Sequence, residues 1–261
     1  MDGNHKLIQP YRFIIHGAID GYSRLIVFLK ASNNNRASTV FNAFQEAITK
    51  YNIPSCVRTD LSLENIEVAR FMVNTRGVDH GSIITGTSVH NQRIERLWRD
   101  VNSIVCAQFQ NIFADLERIG LDTTNENHLF ALQVAYIPII NAALEELTSS
   151  WNCHSLSTEH NLSPRQLWVQ GMLRSANSGH TATGSVLNND QIDWTEYGID
   201  EDGPVPDEQT NYAVNVPLPL FHLSEELQQL EIVTQNARAA GDPDGIISFF
   251  SVLHLLEQFL E

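Results

Sequence analysis

The chain has 261 residues, 43% hydrophobic, 8% aromatic and 18% charged, a globular composition that excludes a wholly disordered or collagen-like chain. The formal net charge is −15, and residues 175–261 hold 15 acidic residues against one basic residue, Arg238. The first two-thirds are thus near neutral and can present a basic face, whereas the last third should repel polyanions.

No uninterrupted apolar run approaches the roughly 20 residues of a membrane span. The first six residues, Met1-Asp2-Gly3-Asn4-His5-Lys6, contain no apolar signal-peptide core. Cys56, Cys106 and Cys153 are widely spaced and odd in number, which gives neither a disulfide framework nor a zinc pair. The expectation is free thiols in a reducing compartment, nuclear or cytoplasmic, with no secretion and no membrane partner.

Residues 11–19 are rich in β-formers, Asp20-Gly21 is a turn dipeptide, and residues 25–29 are apolar, which predicts a β-hairpin. Val40, Phe41, Phe44, Ala47 and Ile48 recur at helical spacing over residues 37–51. A short strand over residues 55–59 ends at Asp60, a helix fits residues 64–75, and residues 81–84 read as another short strand. A long helix fits residues 90–119, with a stripe of Ile94, Leu97, Trp98, Val101, Val105, Phe109 and Phe113. Residues 126–147 predict a further helix kinked at Pro138. Ser163 reads as the N-cap, and Pro164 as the first residue, of a helix to about Met172. Residues 175–219 read as loop or linker. Two helices follow, one from Ser224 to about residue 240 and one over residues 246–260, whose Phe249, Leu253 and Leu256 face could pack back on the core or on a protein partner. This order predicts an α/β domain with a mixed sheet. The expected division is a core over residues 1–122, its helical extension over 123–174, a linker over 175–222 and acidic C-terminal helices over 223–261.

Three acids stand where a shared metal site could form: Asp2 ahead of the hairpin, Asp60 at the end of a strand and Glu95 one turn into the long helix. Mg²⁺ or Mn²⁺ takes a few hard oxygen ligands and keeps room for water and phosphate. Two such ions about 4 Å apart can activate a nucleophile and stabilise the leaving oxygen of a phosphodiester. Carboxylates alone are unspecific, since any acidic protein offers such triplets. Asp20 competes for the first position, but an acid at a hairpin tip is usually a turn former. Glu64 reads as a favourable charge at a helix N-terminus. On the long helix, Asn91 and Gln92 precede Glu95 by four and three residues, and Arg99 follows it by four. Glu95–Arg99 suits an ordinary surface ion pair; alternatively Asn91, Gln92, Arg93 and Arg99 form a strip for DNA phosphates or bases. Trp98 reads as core, and His90 and His154 as hydrogen-bonded structural residues.

Several segments carry a family resemblance: Asp2-Gly3-Asn4-His5-Lys6-Leu7, Ile19-Asp20-Gly21-Tyr22-Ser23-Arg24, Val57-Arg58-Thr59-Asp60 with Glu64-Asn65, and the stretch from Ser88 through His90-Asn91-Gln92-Arg93-Ile94-Glu95 to Asp100. A later piece is Trp151-Asn152-Cys153-His154, then Asn161 and Pro164 to Trp168. Over roughly residues 1–173 the chain resembles the catalytic core of retroviral integrases and related transposases, and looks closest to transposon-derived animal integrase-core proteins. The resemblance implies a ribonuclease-H-like fold, a mixed five-stranded sheet flanked by helices. It also implies an Asp, Asp, Glu triad that binds two Mg²⁺ or Mn²⁺ ions and cuts and joins DNA, falling here on Asp2, Asp60 and Glu95. A homo-oligomer is implied by the same resemblance. Two departures stand against the family pattern: Leu61-Ser62-Leu63 replaces a glycine-rich run after the second Asp, and only one residue precedes Asp2, so the outer half of the first strand is expected to be missing. These departures and the acidic tail suit a second reading, a domesticated transposase that has lost catalysis and serves as a nucleic-acid- or protein-binding scaffold.

Overall fold

The computed structural model describes residues 1–60, 62–77, 81–85, 92–175 and 224–260. Strands β1 (Asp2–Asn4), β2 (Ile14–Ile19) and β3 (Ile26–Ser32) form an antiparallel sheet in that order. Strands β4 (Val57–Thr59) and β5 (Ile83–Thr85) pair in parallel. The β2–β3 turn is organised by Asp20, whose Oδ2 accepts from the Tyr22 N–H at 3.2 Å, the Ser23 N–H at 2.7 Å and the Ser23 hydroxyl at 2.6 Å. Asp20 is therefore a turn former, as its dipeptide suggested.

Among the described residues, the strands form a three-stranded and a two-stranded sheet, where a single five-stranded sheet was expected. The seam between them is held by the main-chain nitrogen of Met1, which donates to the Arg58 carbonyl at 2.7 Å. Among the described residues, β1 is three residues long and no ladder extends from it to β4.

Helices α1 (Ala37–Tyr51) and α2 (Ile66–Arg76) cover one face. Val40 and Phe44 of α1 join Val68, Met72 and Val73 of α2, with Ala18, Val57 and Ile83 from the strands, in the smaller of two apolar cores. The larger core gathers Ile15 and Leu29 with residues of α3 (Gln92–Val101), α4 (Ala107–Ile119) and α5 (Glu126–Cys153). Strand alternation divides them: Ile15 of β2 faces the larger core and Ala18 the smaller. The long helix expected over residues 90–119 is α3 and α4 joined by a π-helical turn, Asn102–Cys106.

Helix α5 lies along β3 and satisfies its outer edge. The Asn141 side chain accepts from the Ala31 N–H at 2.8 Å and donates to the Ala31 carbonyl at 3.3 Å. Asn152 does the same for Ile26, at 2.8 Å and 3.0 Å. A covered edge cannot template pairing with another strand. Among the described residues, α5 is the one helix long and apolar enough to cross a membrane, and half of its most apolar window is buried against the rest of the protein.

Helix α6 (Pro164–Ser175) starts at Ser163 as expected: the Ser163 hydroxyl accepts from the Gln166 N–H at 3.2 Å, and Gln166 Oε1 accepts from the Ser163 N–H at 2.9 Å, a capping box. The expected linker over residues 175–219 lies, beyond Ser175, outside the described residues. Of the two packings open to the C-terminal helices, the protein adopts the first. Leu230 of α7 (Ser224–Ala239) and Phe249, Val252, Leu253 and Leu256 of α8 (Ile246–Leu260) are buried in the larger core, so that face is not a partner surface. Asp242 starts α8 by accepting from the Ile247 and Ser248 N–H groups, and the Tyr136 hydroxyl donates to the Asp244 carbonyl at 2.8 Å. Gly245 has φ +74°, and a Cβ there would lie 2.6 Å from Ile139, so only glycine fits this turn against α5.

Candidate active site

Asp2 lies directly opposite Gly17 in the β1–β2 ladder. Its two oxygens are engaged by neutral donors: the Gly3 N–H reaches Oδ1 at 2.9 Å and the Trp98 indole N–H reaches Oδ2 at 2.7 Å. Asp60 follows β4 immediately, and its Oδ1 accepts from the Asn65 side-chain amide at 2.9 Å. The same amide donates to the Ser62 hydroxyl at 3.0 Å.

Electrostatics place the two carboxylates in one neighbourhood. Burial pushes the Asp2 carboxyl up to about 6, the Trp98 hydrogen bond opposes the shift, and the Asp60 charge adds to it. Glu64 belongs to the same group. It is buried in a 3₁₀ turn, Leu63–Asn65, ahead of α2. Burial pushes it up to about 8, with further contributions from the charges of Asp60 and Asp2. Gly3 makes room for it: a Cβ on Gly3 would lie 2.9 Å from Glu64 Oε1 and 3.3 Å from His5 Nε2. His5 is drawn into the same field, lowered by burial and raised by Asp60.

Glu95 is exposed on α3, one turn before Trp98. Ile94, Leu97, Trp98 and Val101 are buried on the opposite side of that helix. Gln92, Arg93 and Arg99 are exposed with Glu95, and the Arg93 guanidinium donates to the Tyr22 carbonyl at 3.4 Å. Arg96, which sequence reasoning passed over, shares that exposed face. Glu95 and Arg99 form no ion pair among the described residues. Asn91, with the rest of residues 86–91, lies outside the described residues.

The structure thus brings together Asp2, Asp60 and Glu64, with Trp98 bridging from the helix that carries Glu95. Among the described residues, no three His, Cys, Asp or Glu side chains form a ready metal-binding group. The donor chemistry at the Asp2–Asp60 pair nevertheless suits a hard divalent cation: two neighbouring carboxylates hydrogen-bonded by neutral N–H donors, with Asp2 raised by burial and by the Asp60 charge, a shift that positive charge opposes. Glu64 does stand at the helix start that the sequence gave it, and its burial beside Asp2 and Asp60 is what the sequence did not show. The signal that could have found it is Gly3, a strand residue whose missing side chain admits a close neighbour.

The family model of the integrase core domain matches residues 1–182. The chain belongs to the integrase core domain family. No curated protein and no solved structure matches it. Membership brings integrase- or transposase-type function, and DNA as its partner, to this chain. In this integrase core, Asp2, Asp60, the Glu95 helix and the β2–β3 hairpin all fall inside the matched residues, as do α5 and α6, whereas α7 and α8 lie beyond them.

Proposed function

We propose that this protein is a metal-dependent DNA strand-cleaving and strand-joining domain, a polynucleotidyl transferase, with Asp2, Asp60 and Glu95 as its acids. The observation that supports this reading best is the pairing of Asp2 and Asp60 at the adjoining ends of β1 and β4, each carboxylate oriented by a neutral N–H donor. Asp2 and Asp60 would hold Mg²⁺ or Mn²⁺, and Glu95 would complete the set from α3. The bound ions would activate the attacking oxygen and stabilise the leaving one. Gln92, Arg93 and Arg99, with Asn91 ahead of them, would align the DNA backbone beside the acids. Attack by water or a 3′-hydroxyl is in line, with no covalent bond to the protein. The five-stranded ribonuclease-H-like sheet is part of this proposal, with the Met1–Arg58 hydrogen bond as the join between the two sheets. So are a transposon-derived origin, a nuclear or cytoplasmic location and an oligomeric working form.

A second reading, a catalytically inactive DNA- or protein-binding scaffold, draws on Leu63. It stands 74% exposed in the turn after Asp60, where the family pattern has glycine. The test is nicking and joining of a labelled duplex with Mn²⁺. Activity in the wild-type chain that falls at least about a hundredfold in Glu95→Gln supports the transferase. Duplex binding without any cleavage supports the scaffold.

A further inference from the structure

We propose that Trp98 is a positioning residue: with its ring lodged over Gly17, its indole N–H fixes the Asp2 carboxylate and couples it to the helix that carries Glu95. The inference rests on the reading of Asp2 and Glu95 as metal-binding acids and deepens it. Gly17 is the cross-strand partner of Asp2. A Cβ on Gly17 would lie 2.6 Å from Trp98 Cη2 and 2.8 Å from Leu29 Cδ2, so the bare glycine forms the slot that the indole occupies. From that slot Trp98 Nε1 donates to Asp2 Oδ2 at 2.7 Å.

A buried tryptophan needs a partner for its N–H, and here the partner is a carboxylate of the proposed reaction centre. The donor is neutral. It orients the acid without placing a positive charge where a cation would have to sit, as an arginine would. Ligand-orienting partners of this kind typically change metal affinity by about 10–100-fold when removed. A second tie keeps helix and strand in register: the Asn4 side-chain amide, two residues along β1, donates to Asn102 Oδ1 at 2.9 Å, where the π-helical turn begins. Glu95 sits three residues before Trp98, so slippage at Trp98 shifts one proposed ligand relative to another. Misplacement by about 1 Å can cost roughly a hundredfold in rate.

The test separates the hydrogen bond from its consequence. In metal-free protein, the isotope-labelled indole N–H resonance of Trp98, identified by its loss in Trp98→Phe, should move upfield in Asp2→Ala. An unmoved resonance overturns the proposal. Mn²⁺ affinity, measured by calorimetry, should fall at least about tenfold in Trp98→Phe, and equally when Trp98 is replaced by its benzothienyl analogue, which exchanges only the N–H for sulfur. A cooperative thermal transition in both proteins shows that each remains folded. Wild-type Mn²⁺ affinity in the benzothienyl protein leaves the metal site standing and overturns the positioning role. A wild-type protein that takes up no Mn²⁺ defeats the metal reading itself, and the positioning role with it.

Discussion

At the scale of single residues, the site is defined by what surrounds its carboxylates. Asp2 and Glu64 are pushed up to about 6 and about 8, burial being the largest cause for each. A carboxyl raised on folding binds a proton more tightly in the native state than in the unfolded one. Its contribution to stability is therefore complete at acid pH and is lost as pH rises toward the folded value. For Glu64 that window runs from its ordinary 4.5 to about 8, and Asp2 adds the same sign from 3.8 to about 6. The thermal midpoint should therefore fall between mildly acid and weakly alkaline pH. Glu64→Gln should flatten that fall and raise the midpoint near pH 8 by about 4 °C or more, since roughly 1 kcal/mol moves it by about 2–4 °C. Parallel profiles for the two proteins would show that Glu64 is not held protonated by its surroundings. Asp60 was legible in the sequence because it closes a short strand ahead of Glu64-Asn65. Trp98 was legible only as core, because its place on the apolar stripe masks the polar use of its indole nitrogen. Glu64 was legible as a helix-start residue but not as a buried one, because a position in the chain says where a helix begins, not what lies beneath its first turn.

Elements with a strong apolar period were the ones the sequence specified well. The last helix was expected over residues 246–260 and is α8, Ile246–Leu260. The Asn-Leu-Ser-Pro signal at residues 161–164 marks the start of α6 through the Ser163–Gln166 capping box. Periodicity was silent on what α8 packs against, because an apolar stripe is the same whether it meets α5 or another protein. The π-helical turn at Asn102–Cys106 was also illegible, since it inserts no proline or glycine into the helical pattern. With Phe249 fully buried in the larger core, Phe249→Ala should cost about 3–5 kcal/mol in denaturant unfolding. Leu227→Ala, at a position 42% exposed, should stay within about 0.5 kcal/mol. A loss below about 1 kcal/mol at Phe249 would mean that α7 and α8 leave the core without consequence. This packing also changes how the acidic C-terminal third can be tested against DNA. Cutting the chain near residue 174 exposes apolar surface of α5, so charge substitutions on α7 and α8 are the sounder comparison.

On the scale of the whole molecule, the candidate site is assembled from segments far apart in the chain: β1, the turn after β4, and α3. Two sheets meet at β1 and β4, bringing Asp2 beside Asp60, and α3 crosses β2 so that Trp98 reaches back to Asp2. The sequence could supply the acids but not this convergence, because a three-residue strand carries no register signal of its own. The near-neutral core and the strongly acidic C-terminal third put the exposed arginines of α3 on the part of the molecule better suited to a polyanion. The central claim is that Asp2 and Asp60 form a divalent-metal site completed by Glu95. Calorimetric titration of Mn²⁺ into the wild-type protein, Asp60→Asn and Glu95→Gln tests it most directly. Saturable binding in the wild type, absent in Asp60→Asn and weakened at least about tenfold in Glu95→Gln, is the predicted result. No binding in the wild type, or equal binding in all three proteins, would contradict it.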